Sequence, residues 1–222
     1  MIESTLNKMA AWLGMCALLS GCAVDPASQA MNDLYRLMHT EGGAAQLNPS
    51  LSYLRLQTGG REIFMALGYV DQTPDGPVEV WYSGEADVLR LRDGRVIGAT
   101  MKRGVNWLAV SFSHLPQWDA VGGESWFDRV RDESPGYRYG IAEKLRIRSI
   151  AAPADSQLKN IPPASLSWFE ESVQGDAGLP SARYAVKSDS GGHPTVMYAE
   201  QCLSSEYCFS WQVWPSSNKG TH

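Results

Sequence analysis

The chain has no metal-ligand spacing, no phosphate loop and no nucleophile elbow, and each absence removes a class of function. Its four histidines, His39, His114, His193 and His222, stand in no pattern that suggests a bound metal, and neither Glu-x-x-His nor His-Glu-x-x-His occurs. Gly-x-Ser-x-Gly, a Walker loop and Gly-x-Gly-x-x-Gly are missing too, which leaves no sign of nucleotide binding or serine hydrolase chemistry. Basic clusters are equally scarce. None is longer than Lys102-Arg103, and the net charge is −5, so no nucleic-acid partner held by Coulomb attraction is expected. A carboxylate pair drawn from Asp71, Asp75, Glu170 and Glu171 would suit glycoside hydrolysis, but turn and surface carboxylates are usually solvated. The expectation is a protein with no catalytic residues, no metal and no cofactor.

Long apolar runs are also absent. The apolar stretch from Met9 to Leu19 falls short of the roughly 20 residues that span a bilayer, but it suits the core of an export signal. Directly after it stands Leu19-Ser20-Gly21-Cys22, the pattern of a bacterial lipobox. Small residues before the cysteine let the chain enter a peptidase site, and only the thiol can carry a thioether-linked diacylglycerol. Cys22 is therefore the expected lipidation site. At about 0.8 kcal/mol per buried methylene, several acyl chains such as palmitate hold a protein firmly to a membrane it does not span. The basic charge usual before the apolar run is weak, with Lys8 offset by Glu3. A signal cut near Ala27-Ser28-Gln29-Ala30, or a buried helix in which Cys22 is merely small and apolar, remains the alternative. Ala23 follows the cysteine where an aspartate would favour inner-membrane retention, which points to the periplasmic face of an outer membrane.

The lipobox also resolves the cysteine count. Cys16 leaves with the signal and Cys22 is acylated, so Cys202 and Cys208 remain as a pair able to close a short loop in an oxidising compartment. Such a disulfide would stabilise by about 2 kcal/mol on the chain-entropy estimate. Two free thiols in a strand pair are the other reading.

The expected organisation is a signal over 1–21, a lipidated tether over 22–30, a β-rich periplasmic body over 31–215 and a polar tail over 216–222. The body is either one unit or two β subdomains at about 31–112 and 135–215. Leu34, Leu37 and Met38 share a face and predict a short helix from Met31, ended by Gly42-Gly43. From Tyr53 onward, β-rich runs alternate with turn residues, which predicts antiparallel meanders forming a mainly β, barrel-like or sandwich body. The runs are Tyr53 to Gln57, Glu62 to Val70, Val78 to Ser83, Val88 to Arg92, Arg95 to Thr100, Asn106 to Phe112, Arg138 to Ile150, Ala182 to Lys187, Thr195 to Glu200 and Phe209 to Trp214. Asp93-Gly94 is the clearest hairpin turn, because both residues tolerate positive φ. His114 to Ser134 reads as a loop with a helical turn.

Seven tryptophans follow the lipobox, and most lie in strand runs where indoles fill cores. Trp118 and Trp126, placed in the expected loop, are the candidates for stacking against a sugar ring. Arg55, Arg61, Arg90, Arg92 and Arg95 would bind an acidic polymer if gathered on one face; nearby Glu62, Glu79, Asp87 and Asp93 favour a salt-bridged surface instead.

Leu54-Arg55-Leu56, Gly60-Arg61, Ala66-Leu67-Gly68-Tyr69, Trp81-Tyr82-Ser83 and Leu89 to Gly98, together with the lipobox, resemble the YjbF family of group 4 capsule polysaccharide lipoproteins. The resemblance is best over residues 50 to 100. It implies an outer-membrane lipoprotein that accompanies exopolysaccharide or capsule production and export, with polysaccharide or export proteins as partners and no catalytic residues to carry over. A glycan-modifying enzyme and a lipid carrier with an apolar cavity are the alternatives.

Overall fold

Among the described residues, twelve strands follow one another with almost no helix between them: β1 Tyr53–Thr58, β2 Arg61–Thr73, β3 Gly76–Ser83, β4 Val88–Arg92, β5 Arg95–Thr100, β6 Asn106–Phe112, β7 Glu124–Ser134, β8 Arg138–Ile150, β9 Ser167–Val173, β10 Ala182–Lys187, β11 Thr195–Cys202 and β12 Cys208–Trp214. The structure is a computed structural model that describes residues 47–102, 104–175, 178–188 and 193–214. The expected helix from Met31, the tether and Cys22 lie outside the described residues.

Each strand pairs antiparallel with its neighbours in sequence, and β1 closes the sheet on β12 through Tyr53 opposite Trp214. The body is therefore mainly β and a single up-and-down barrel. The two β groups expected from sequence are two arcs of one wall. Closure removes the unpaired strand edges on which sheets aggregate. The turn at Asp93-Gly94 takes φ values of 49° and 73°, as its residue types require. Gly94 has a second reason to be glycine, since a Cβ there would come within 2.4 Å of the Val196 side chain. Gly94→Ala should lower stability by about 1–3 kcal/mol, combining positive-φ strain with overpacking, as read from the urea midpoint.

Two strands escaped the sequence pattern. β7 replaces the expected helical turn, and β9 lies in a stretch with no assigned strand. In β7 the inward positions Phe127, Arg129, Arg131 and Glu133 are all buried, so charged residues occupy the face that hydrophobicity would mark. The alternation is present, but it runs through arginines.

Eight-stranded barrels enclose just enough room for side chains to fill, so a twelve-stranded wall needs bulkier contents. The largest side chains meet that need. Trp81, Trp107, Trp118 and Trp211 join Phe127, Phe169 and Phe209 in the main core. A second layer lies outside the wall, where the connection between β8 and β9 crosses the outer faces of neighbouring strands as a strap. Leu158 and Ile161 of this strap pack with Leu166 over Trp168, Ala185 and Tyr198.

Candidate functional site

Inside the barrel, one continuous series of ion pairs runs along β7, β8 and β9. Arg95 donates to Glu171 at 3.2 Å, Glu171 faces Arg129 at 3.8 Å, and Arg129 donates to Glu143 at 2.7 Å. Arg131 grips both oxygens of Glu143 at 3.0 Å, contacts Glu133, and through it the series reaches Arg138 at the exposed tip of the β7–β8 hairpin. Three buried arginines balance three buried glutamates. Aromatic faces cover the cations: the Arg95 guanidinium lies 3.8 Å from the Trp118 ring centroid, and Arg129 and Arg131 lie 4.8 Å and 5.1 Å from that of Trp107. Burial alone would raise the Glu143 carboxyl, but the bonds from Arg131 and Arg129 outweigh it and hold the group below its ordinary value. Burial pushes Asp93 the other way, with Arg95 opposing only in part. Charged side chains and aromatic rings thus share this part of the interior.

On the outer face, register lines up two rows of residues across the wall. One row runs Trp168, Ala185, Tyr198, Gln212, Arg55, and the strap covers it. Gln212, fully buried, substitutes for a strand partner: its Oε1 accepts from Lys159 N at 2.9 Å and its Nε2 donates to Lys159 O at 2.7 Å. Gln157 N donates to the Tyr198 hydroxyl at 2.8 Å, and Arg55 Nη1 donates to Gln157 O at 3.4 Å. Amide, hydroxyl and guanidinium together satisfy a peptide segment that has no sheet of its own.

The adjacent row is open. Across β8 to β1 it reads Arg148, Glu170, Arg183, Glu200, Ser210 and Gln57, each opposite the next. Its middle forms the floor of a groove of about 540 Å³, walled by Asp155 and Gln157 of the strap, by Pro180 and Ser181, and by the hairpin end at Cys202 and Cys208. That volume lies within the roughly 300–1,000 Å³ of ordinary ligand sites. Arg183 Nη1 donates to Asp155 at 2.8 Å and to Glu200 at 3.3 Å. Glu200 also accepts from the Tyr198 hydroxyl at 2.7 Å, which together with burial pushes that phenol well above its ordinary value. Arg148 places two bonds on Glu170 Oε1, at 3.1 Å and 2.8 Å. The groove offers amides, hydroxyls and carboxylates in fixed positions on a rigid wall, which is the equipment for hydrogen-bonding a polar ligand.

The residues singled out from sequence are distributed differently. Cys202 and Cys208 form the disulfide, as expected, at the tip of the β11–β12 hairpin. Trp118 and Trp126 make no shared platform. Trp118 is 4% exposed and packs inside the barrel on Phe169 and Tyr184, whereas Trp126 is 38% exposed and faces outward between Lys144 and Arg146. The strand that carries Trp126 stands where the sequence predicts a loop, and strand alternation sends the ring to the side opposite Phe127. Nor do the four carboxylates converge: Glu171 points into the ion series, Glu170 into the groove, and Asp71 and Asp75 pair with Arg90 and Arg92. The five arginines each meet a carboxylate but share no face, since Arg95 is interior and Arg55 lies beneath the strap. Among the described residues no cluster of three or more His, Cys, Asp or Glu is placed to hold a metal. The groove itself was missed. Its signal was the outward polar phase of β9, β10 and β11, legible only once their register is known.

No family model matches the chain, and no curated protein matches it. A solved structure does. The hypothetical lipoprotein YmcC from Escherichia coli (K12) superposes with a TM-score of 0.56 at 18% identity, over 85% of this chain and 89% of that one. The two chains share a fold. At this identity the likeness concerns the barrel and carries no residue roles with it.

Proposed function

We propose that the chain is a lipid-anchored envelope protein of the outer membrane, facing the periplasm. There it serves as a non-catalytic accessory factor in exopolysaccharide or capsule production or export, and binds polysaccharide through the outer groove. The observation that carries the binding part is the polar row Glu170, Arg183, Glu200 and Gln57 lining the outer groove. Ligand recognition then belongs to the outer wall. The anchoring part rests on the lipobox at Cys22, and the fold shared with a hypothetical lipoprotein supports it. The polysaccharide link rests on the resemblance to the YjbF family.

Deleting the gene in its native host should reduce surface polysaccharide, and restoring a Cys22→Ala form should fail to rescue it. Intact mass of the membrane-extracted protein should show acyl chains on Cys22. Unchanged polymer in the deletion strain would sink the accessory role, and a protein without fatty substituents would sink the anchor. The enzymatic alternative would need Glu170 and Glu200, on either side of Arg183 in the groove, to act as a carboxylate pair. Release of reducing ends from a bound glycan, lost in Glu170→Gln, is the result that would promote it.

A further inference from the structure

Resting on the glycan-binding reading of the groove, the question that remains is which glycans its charge admits. Three carboxylates line it, from Asp155, Glu170 and Glu200, against one lining cation, Arg183. That single guanidinium is shared, because its Nη1 serves both Asp155 and Glu200. Glu170 has its own counter-ion in Arg148, yet both bonds from Arg148 end on Oε1. After pairing, the groove keeps an excess of negative charge, and it sits on a chain whose net charge is also negative. The remaining lining is amide and hydroxyl, from Gln57 and Ser210 among others, and Phe209 is too deeply buried to act as a stacking platform.

We infer that the groove selects an amine-bearing glycan, a polymer containing unacetylated amino sugar, over uronic-acid or other anionic polymers. A protonated sugar amine presents three donors and a positive charge, and carboxylate oxygens are its strongest acceptors. Ring hydroxyls would pair with the Gln57 amide and the Ser181 hydroxyl of the same lining. A uronate at the same place would meet Asp155, Glu170 and Glu200 without a cation of its own to answer it, and like-charge juxtaposition disfavours a ligand more than a missing contact does.

The test is titration calorimetry of the full-length protein with three oligosaccharides of equal length: glucosamine, N-acetylglucosamine and galacturonate. It is run near pH 6, above the ordinary carboxylate range of about 4. The glucosamine oligomer should bind about tenfold or more tightly than the galacturonate one, and added salt should shrink the gap. Glu170→Gln with Glu200→Gln should remove that preference, bringing the glucosamine and galacturonate affinities to within a fewfold of each other. Galacturonate binding as tightly as glucosamine would overturn the inference and leave the glycan-binding reading standing. An oligolysine of the same length binding as well as glucosamine would also overturn it, by showing a general cation site. If none of the three sugars binds, the groove reading falls and the inference with it. The wild-type ranking decides the matter even if the double variant fails to fold.

Discussion

Glu143→Ala should cost about 3–5 kcal/mol of unfolding free energy, because it leaves Arg129 and Arg131 buried in the barrel with no anion between them. A buried ion pair adds little over a well-packed apolar pair, whereas removing one member exposes the whole desolvation cost of the other. Arg129 still faces Glu171 and Arg131 still contacts Glu133, so the loss falls at the lower part of the range. Urea unfolding followed by tryptophan fluorescence would measure it, and a cost below about 1 kcal/mol would show that Glu171 and Glu133 suffice for the two arginines without Glu143. Replacing Arg129, Glu143 and Arg131 together with methionine and leucine should be far less damaging than the single change. The ion series also gives the wild type a pH signature. The Glu143 carboxyl is held below its ordinary value in the fold, so its contribution is fully present above the unfolded value of about 4.3 and is lost as pH falls through the lower, folded one. The gap between wild type and Glu143→Ala should therefore begin to narrow as pH falls below about 4.

Much of the wall was legible in the sequence because β-rich runs are separated by turn residues. Val88 to Arg92, Arg95 to Thr100 and Arg138 to Ile150 are bounded by turn residues whose chemistry ends a strand, and the observed limits coincide with the expected ones. β7 failed for the opposite reason. Its inward residues after Phe127 are Arg129, Arg131 and Glu133, and no hydrophobicity pattern marks an arginine as interior. Only pairing with Glu143 across the strand, and the Trp107 ring over the cations, makes that burial tolerable. The groove was illegible on different grounds. Glu170, Arg183, Glu200 and Ser210 come from four strands, and their adjacency is a property of register, which a chain read strand by strand does not supply. The strap illustrates the same limit: Gln212 meets Lys159 across 53 positions of sequence.

Trp118→Ala should destabilise the barrel by about 3–5 kcal/mol, the range for removing a buried indole. The ring packs with tilted faces at 5.3 Å on Phe169 and 5.0 Å on Tyr184, covers Arg95, and donates its N–H to Asp93 O at 3.2 Å. Removing it takes away packing, one hydrogen bond and the cation's aromatic face together. It also leaves the Arg95 guanidinium, which already has a buried nitrogen without a hydrogen-bond partner, facing a cavity. Trp118→Phe keeps most of the apolar contact and loses the N–H, so a cost of about 1–2 kcal/mol is expected. Trp126→Ala, on the outer surface, should cost no more than about 1 kcal/mol through its contacts with Lys144 and Arg146. Neither tryptophan lines the groove, so both alanine variants should retain glycan affinity wherever they remain folded. A Trp118→Ala protein of native stability that no longer bound sugar would reverse the assignment: the ligand would then enter through the barrel end, and the outer row would be a surface charge pattern with no ligand.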